Sequence, residues 1–479
     1  MNTQVLLTDK ISKGGNILLV AEKKTSFEKF GLSKAEIKYV KESLEHKKDK
    51  IFINRLDSLL FIFVPEKKSK EERPALLEKY RRAGDHFGVA LNKHKMKSVC
   101  IADAINDTEA LIALAEGMVL GNYQFLKYKE KADEKKNSLK EIKIVAEKKY
   151  AVALEQMLAT SEGTLLARTW INEPPCTMTA TQFSSEVSKL GKQCGFHVDV
   201  LTKAKIHSLK FTGLINVNKG SNNPPTFNIL EWKPKKYSNK KPYVLVGKGV
   251  MMDTGGVNVK PGAFMDFMKS DMSGAAAVAG AFVAIAKAKL PVHVIGLIPC
   301  TDNMPDGKAY VSGDVLSMHN GVTVEIFSTD AEGRLILSDA LSYAKQYKPE
   351  LVIDIATLTG AASQAIGRGG MVGMGTAPKS VMEKLKDCGL QVHERIAEFP
   401  FWDDYEDSIK SEIADIKNIG GSQAGAITAG KFLAHFIDYP WIHLDIAGPA
   451  FIESKDGYRT FGGTGVGVRL FFEFLKNIK

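Results

Sequence analysis

Short apolar runs alternate with amphipathic stretches from near the start of the chain. NILLV (16–20), LLFIFV (59–64) and SVCIA (98–102) are compact and rich in β-branched residues, as buried strands are. Between them, KAEIKYVKESLE (34–45) and EERPALLEKYRRAGDHFGVAL (71–91) space apolar residues three and four apart, along one helical face. This alternation predicts a first α/β domain over residues 1–144. The charged segment KEKADEKKNSLKEIK (129–143) reads as an exposed connection. Helical spacing then runs from 145 to 171 and stops at Asn172-Glu173-Pro174-Pro175, because proline cannot continue a helix. The pattern therefore predicts a linker helix over 145–174 and a second domain over 175–479.

The second domain is α/β again. Its strand candidates are YVLVG (243–247), VHVIGLI (292–298), VTVEIF (322–327), LVIDIA (351–356) and WIHLDIA (441–447). Helical stretches separate them, including GAAAVAGAFVAIAKAK (274–289) and LILSDALSYAKQY (335–347). Apolar strands alternating with helices predict a mainly parallel central sheet covered by helices. Ligands of such sheets bind beyond the carboxyl ends of the strands.

Bulk composition narrows the class. A hydrophobic fraction of 44% and a charged fraction of 25% are ordinary for a soluble globular chain. No apolar run reaches the roughly 18 residues of a membrane span. The opening MNTQVLLTDKISKGG lacks a secretory apolar core, so a cytoplasmic protein without membrane contact is expected. Cys100, Cys176, Cys194, Cys300 and Cys388 form no CxxC pair and are odd in number, which argues for buried free thiols. The net charge is +10, and residues 1–150 carry most of it, with 31 Lys+Arg against 22 Asp+Glu. That surplus permits an acidic partner such as nucleic acid. Only Arg55, Arg73, Arg81 and Arg82 are arginines, however, and the lysine-rich balance favours a solvated surface over base readout.

Four clusters place charges in apolar or glycine-rich settings, where charge is costly unless paired or bound to metal. They are VGKG with MDTGG (246–249 and 252–256), NVKP (258–261), MKSDM (268–272) and STDAEGRL (328–335). Asp253, Asp271, Asp330 and Glu332 emerge as oxygen donors suited to hard or borderline divalent ions. None of the ten histidines falls in these clusters and the chain has no HExxH, which argues against a histidine-rich zinc site.

TDAEGRL resembles the fingerprint of the leucyl aminopeptidase, or cytosol aminopeptidase, family, and VGKG, DTGG, VKP, MKSDM and SGAAAV resemble its other motifs in order. The resemblance runs through residues 172–479. It implies a peptide-cleaving enzyme with two divalent metal ions per subunit, zinc or manganese, with magnesium or cobalt as alternatives. By position, Lys248, Asp253, Asp271 and Glu332 resemble the ligands of one metal. Asp253, Asp330 and Glu332, with the Asp330 carbonyl, resemble those of the other. Lys260 resembles the lysine that polarises the scissile carbonyl, and Arg334 the arginine that holds a bicarbonate serving as general base. Met268, Thr357, Gly360, Ala447 and Ala450 resemble the lining of the first side-chain pocket, and Leu358 the residue whose carbonyl receives the substrate amide. The resemblance also implies a homohexamer, and some bacterial relatives bind DNA. Ser328 stands where the family usually has Asn, Thr254 where Ser is commoner and Ser273 where Gly is usual, and Cys176 falls in an Asn-rich hinge. The shorter Ser328 is expected to loosen support of the metal site.

Overall fold

The computed structural model describes residues 3–11, 14–66 and 72–478. The chain forms two compact units that divide between Ser161 and Glu162, inside the 22-residue helix Ala151–Asn172. Residues 455–460 belong with the first unit.

The first unit is built on a six-stranded sheet in the order Gln4–Thr8, Glu141–Val145, Ser98–Asp103, Ile17–Val20, Leu59–Phe63, Lys50–Asn54. All neighbours are parallel except the last pair. The helices Lys34–Glu45 and Arg73–Lys93 fall where the apolar spacing puts them, although Glu71, at the head of the second stretch, lies outside the described residues. Ser33 opens the first with a capping box, its hydroxyl accepting from Glu36 N while the Glu36 carboxylate accepts from Ser33 N. One expectation fails here. Glu141–Val145 is not part of an exposed connection but a strand between two others. Ile142 and Ile144 alternate inward with period two, a signal masked by the lysine-rich segment before it. That strand also delays the linker helix, which starts at Ala151.

In the second unit, Trp441–Asp445, Leu351–Ala356, Tyr243–Gly247 and Val294–Asn303 form a parallel centre. Antiparallel neighbours flank it: Met371–Gly375 on one side, Thr226–Trp232 and then His197–Leu201 on the other. The helix Ser273–Lys287 covers one face and Glu332–Ala344 the other, each facing its own apolar core. The fold is thus mixed α/β with a mainly parallel sheet between helices, as the pattern predicts. VTVEIF is the exception. Only Thr323–Glu325 is strand, and it lies in a separate three-stranded sheet with Val315–Ser317 and Ile416–Lys417. Its flanking positions are half-buried, whereas central parallel strands are buried throughout.

Two features aim the polar clusters. Tyr243–Gly247 and Gly249–Asp253 pair successive stretches of the same neighbour, Val294–Asn303, so the chain breaks step at Lys248. The alanine-rich helix Ser273–Lys287 is buried almost entirely, because small side chains let backbone approach backbone. Free cysteines occur at all five positions. Cys100, Cys300 and Cys388 are buried and Cys194 is half-buried, but Cys176, in the turn after the linker helix, is exposed, contrary to expectation.

Ala151–Asn172 crosses Ser273–Lys287 where Gly163 meets Gly280. A Cβ on Gly280 would lie 2.6 Å from the Gly163 carbonyl oxygen and 2.9 Å from a Val468 methyl. Gly280→Ala is therefore expected to destabilise the second unit by about 1–3 kcal/mol through overpacking, outweighing a helix-propensity gain of about 1 kcal/mol. A urea unfolding midpoint equal to or above that of the parent would contradict the close crossing.

Candidate metal centre

The four motif clusters converge at the carboxyl ends of the central strands. Asp253 ends Gly249–Asp253, Asp271 follows the short turn Met268–Ser270, and Glu332 opens the helix Glu332–Ala344. The positive end of that helix favours a carboxylate there. Oxygen atoms of Asp253, Asp330 and Glu332 all lie within 4.8 Å of one another.

Two ammonium groups thread this cluster. Lys248 Nζ, buried, lies 2.8 Å from Asp271 Oδ1 and 2.9 Å from Glu332 Oε1, and donates to the Thr357 carbonyl at 2.9 Å. Lys260 Nζ lies 2.7 Å from Asp253 Oδ2 and 2.5 Å from Asp330 Oδ1. Burial opposes charge on Lys248, but Asp271, Glu332 and Asp253 outweigh it and hold the ammonium form above the usual lysine range. Burial and the charge of Glu332 push Asp253 up to about 6, against the pull of both lysines. Burial also drives Asp271 well above the usual carboxylate range. Glu332, equally buried, stays below its ordinary value because Lys248 and Lys260 face it.

Glycines make the close approach feasible. A Cβ on Gly333 would sit 2.5 Å from Lys248 Cε. Gly255 and Gly256 have φ of +87° and +65°, and a Cβ on Gly256 would meet Asn303 Oδ1 at 2.8 Å. Thr254 suits its place, donating its hydroxyl to the Asn303 carbonyl at 2.8 Å. Ser273 likewise donates to the Ser270 carbonyl at 2.5 Å.

The donor set fits divalent cations. All four acids present hard oxygen ligands, and Asp271 Oδ2 is buried without a hydrogen-bond partner. Ionising such an orphaned carboxyl oxygen is expensive in an apolar setting unless a cation meets it.

Arg334 lies in the first turn of the helix that Glu332 opens. It is buried, its Nη1 donates to the Asn418 carbonyl at 2.7 Å, and its guanidinium lies over the Phe432 ring. Its Nε has no partner, no carboxylate pairs with it among the described residues, and burial lowers its pKa to about 10. Glu332 and Asp445 offset the charge from a distance, and a buried guanidinium with no carboxylate in direct contact suits a small planar anion.

Beside this centre, Thr357 donates its hydroxyl to Asp271 Oδ1 at 2.7 Å. Leu358 N donates to Asp445 Oδ1 at 3.1 Å, as does Ala447 N at 3.1 Å, so one carboxylate gathers two loops. Thr359 adds its hydroxyl to Asp445 Oδ2 at 2.7 Å. Phe267 stacks on Phe451 with centroids 5.1 Å apart, bringing the segments of Met268 and Ala450 together. Met268, Thr357 and Ala447 are half-buried and Gly360 is open to solvent, whereas Ala450 sits in the core.

The polar frame was missed from sequence. Asn303 Nδ2 donates to Asp253 Oδ1 at 2.8 Å and to the Thr329 carbonyl at 3.0 Å. Thr329 Oγ1 donates to the Gly255 carbonyl at 2.6 Å and accepts from Asn258 N at 2.8 Å. Asn303 and Asp445 each end a central strand, so the rule that found Asp253 could have found both. The loosened support expected at Ser328 is not what the geometry gives. Its hydroxyl accepts from Asp330 N at 3.2 Å, and its backbone groups are both paired with Asn418.

A sequence profile described as "Cytosol aminopeptidase family, catalytic domain" matches residues 165–472. The chain is 44% identical over 401 residues to a probable cytosol aminopeptidase of Chloroherpeton thalassium, covering 79% of this chain and 78% of the relative. It is 42% identical over 425 residues to that of Chlorobaculum tepidum, covering 83% of each. Among solved structures, the bottromycin maturation enzyme BotP in complex with Mn superposes with a TM-score of 0.85 at 28% identity, over 96% of this chain and 99% of that one. A mutant tomato leucine aminopeptidase superposes with a TM-score of 0.87 at 25% identity, over 99% of this chain and 97% of that one.

Proton competition follows from Asp253. Its carboxyl must be ionised to bind a cation, and its raised pKa of about 6 means the protonated fraction grows as pH falls through that value. Metal affinity of the metal-free chain is expected to drop steeply below pH about 6, where binding must displace the Asp253 proton and release it. Calorimetric titrations in buffers of different ionisation heat read both, and an affinity flat across this range would contradict the assignment. Separately, Asp445→Ala should lower kcat/KM about 10- to 100-fold, because it leaves buried donors of both loops unpaired. Unchanged kcat/KM in a folded variant would show that the two loops do not need it.

Proposed function

The chain belongs to the cytosol aminopeptidase family and is a metal-dependent aminopeptidase, and on that basis we propose that it releases leucine-like N-terminal residues from peptides with two divalent ions and a bicarbonate. The convergence of buried Lys248, Asp253, Asp271 and Glu332 with the more exposed Asp330 carries the proposal. Lys248, Asp253, Asp271 and Glu332 would hold one ion, and Asp253, Asp330, Glu332 and the Asp330 carbonyl the other. From family membership the ions are proposed to be zinc or manganese, with magnesium or cobalt as alternatives. Ions held there supply Lewis-acid polarisation and an acidified water.

The chain's own groups do the rest. Lys248 would hold its ion as the neutral amine, the proton passing to solvent as the ion's charge replaces that of the ammonium among Asp271 and Glu332. Lys260 then turns its ammonium from Asp253 and Asp330 towards the scissile carbonyl and stabilises negative charge as it gathers on that oxygen. Arg334 would hold bicarbonate as general base, a role its unpaired buried Nε supports. The Leu358 carbonyl faces no partner among the described residues and would accept the substrate amide. Met268, Thr357, Gly360, Ala447 and Ala450 would line the side-chain pocket, small residues plus one methionine leaving an apolar slot.

A homohexamer is proposed from family membership. Exposed Val257, Val259, Val311 and Phe327 support it, because Ser312 ties their loops by donating towards Asn258 Oδ1 and the Phe327 carbonyl. The proposed location is the cytoplasm. Among the described residues no helix is long and apolar enough to cross a membrane. The lysine-rich first third is read as a solvated surface, not a nucleic-acid interface.

Chelation should abolish hydrolysis of leucine amide, and manganese or zinc should restore it. Full activity in a verified metal-free sample would end the two-metal reading. Lys260→Ala should lower kcat on the order of 100- to 1000-fold while two metals per chain are retained. Loss of a metal in that variant would make Lys260 part of the ligand frame instead.

A further inference from the structure

We propose that Asn418 is a positioning residue that sets the Asp330 loop and Arg334 in one fixed relation, so that the metal centre and the anion site are aligned together. The inference rests on the roles proposed above for Asp330 and Arg334.

Asn418 follows the two-residue strand Ile416–Lys417, which runs parallel to Thr323–Glu325, and its N donates to the Glu325 carbonyl at 3.0 Å. This pairing, between segments some ninety residues apart, brings it to the Ser328–Asp330 loop. The side chain is fully buried. Its Oδ1 accepts from Phe327 N at 2.8 Å and Ser328 N at 3.2 Å, and its Nδ2 donates to the Ser328 carbonyl at 2.7 Å. Its own carbonyl accepts from Arg334 Nη1 at 2.7 Å. One residue therefore holds the two positions before Thr329-Asp330 and, through its backbone, the guanidinium. Ser328 completes the chain of contacts by accepting from Asp330 N.

The chemistry at this place calls for an amide. A carboxylate of the same shape could accept from Phe327 N and Ser328 N but would face the Ser328 carbonyl oxygen without a hydrogen to offer. It would also bring a further negative charge towards Arg334, which no carboxylate contacts directly among the described residues and whose positive charge is what an anion needs. The neutral Asn418 carbonyl orients Arg334 and leaves its Nε–H and its charge available. Asn418 makes bonds on both sides of the Ser328 peptide, and that accounts for a short residue at 328 carrying the loop.

The test compares parent, Asn418→Ala, Asn418→Asp, Arg334→Ala and the Asn418→Ala/Arg334→Ala pair, each loaded with manganese. Leucine amide hydrolysis is followed as bicarbonate is titrated, manganese affinity is measured by chelator competition, and thermal unfolding reports the fold. Asn418→Ala should lower kcat on the order of 10- to 100-fold, weaken manganese binding by a similar factor, and shift the bicarbonate response to higher concentration. The isosteric Asn418→Asp should lose the bicarbonate response while still folding. The pair should fall short of the summed single losses in kcat, as residues acting on one contact do. A folded Asn418→Ala with parental kcat, manganese affinity and bicarbonate response, or with lowered stability alone, would overturn the inference. If Arg334→Ala keeps the parental bicarbonate response, the anion role of Arg334 falls instead, and the manganese affinity of Asn418→Ala alone decides whether Asn418 positions the Asp330 loop.

Discussion

Four carboxylates crowd into a space walled by glycine and apolar strand, and that repulsion governs the rest of the second unit. In the chain by itself, Lys248 and Lys260 supply the opposing charge, each bridging two acids. The balance is incomplete: two ammonium groups face four acids, Asp271 keeps an unpartnered buried oxygen, and the pKa values of Asp253 and Asp271 rise. A site with surplus negative charge and hard donors invites divalent cations. Metal affinity here is the other face of a destabilising arrangement that burial alone would not tolerate.

Holding such an arrangement requires a rigid frame. The parallel centre delivers Lys248, Asp253, Thr357 and Asp445 at the same edge, because successive strands end in register there. Glycines at 255, 256 and 333 keep Cβ atoms out of the narrowest gaps, and Asn303, Thr329 and Asn418 tie the loops that no strand reaches. Arg334 occupies the opposite condition, a buried cation with an unpartnered Nε and no carboxylate in direct contact among the described residues. The two charge imbalances, one negative and one positive, sit one helical turn apart on the segment that runs from Asp330 to Arg334.

Much of this is legible in the residues alone. Charged groups after apolar strands marked Lys248, Asp253, Asp330 and Glu332, and period-3.6 spacing marked the helices that cover the sheet. Glu141–Val145 stayed hidden because lysines flank its alternation, and Thr323–Glu325 misled because a short apolar run looks the same in a small side sheet as in a central one. Asn418 could not be found at all, since its role arises from a strand pairing that sequence spacing does not encode. Ser328 reads as a loss against the family pattern, but its hydroxyl and both backbone groups have partners once Asn418 is in place.

The account stands on two metals sharing these carboxylates. A crystal of the manganese-loaded protein, measured for anomalous scattering at the manganese edge, tests it most directly. Two peaks are predicted, both touching Asp253 and Glu332, one also meeting Lys248 and Asp271 and the other Asp330, with Lys260 Nζ bound to neither. A single peak, a peak ligated by Lys260, or metal lodged elsewhere in the chain would contradict the account.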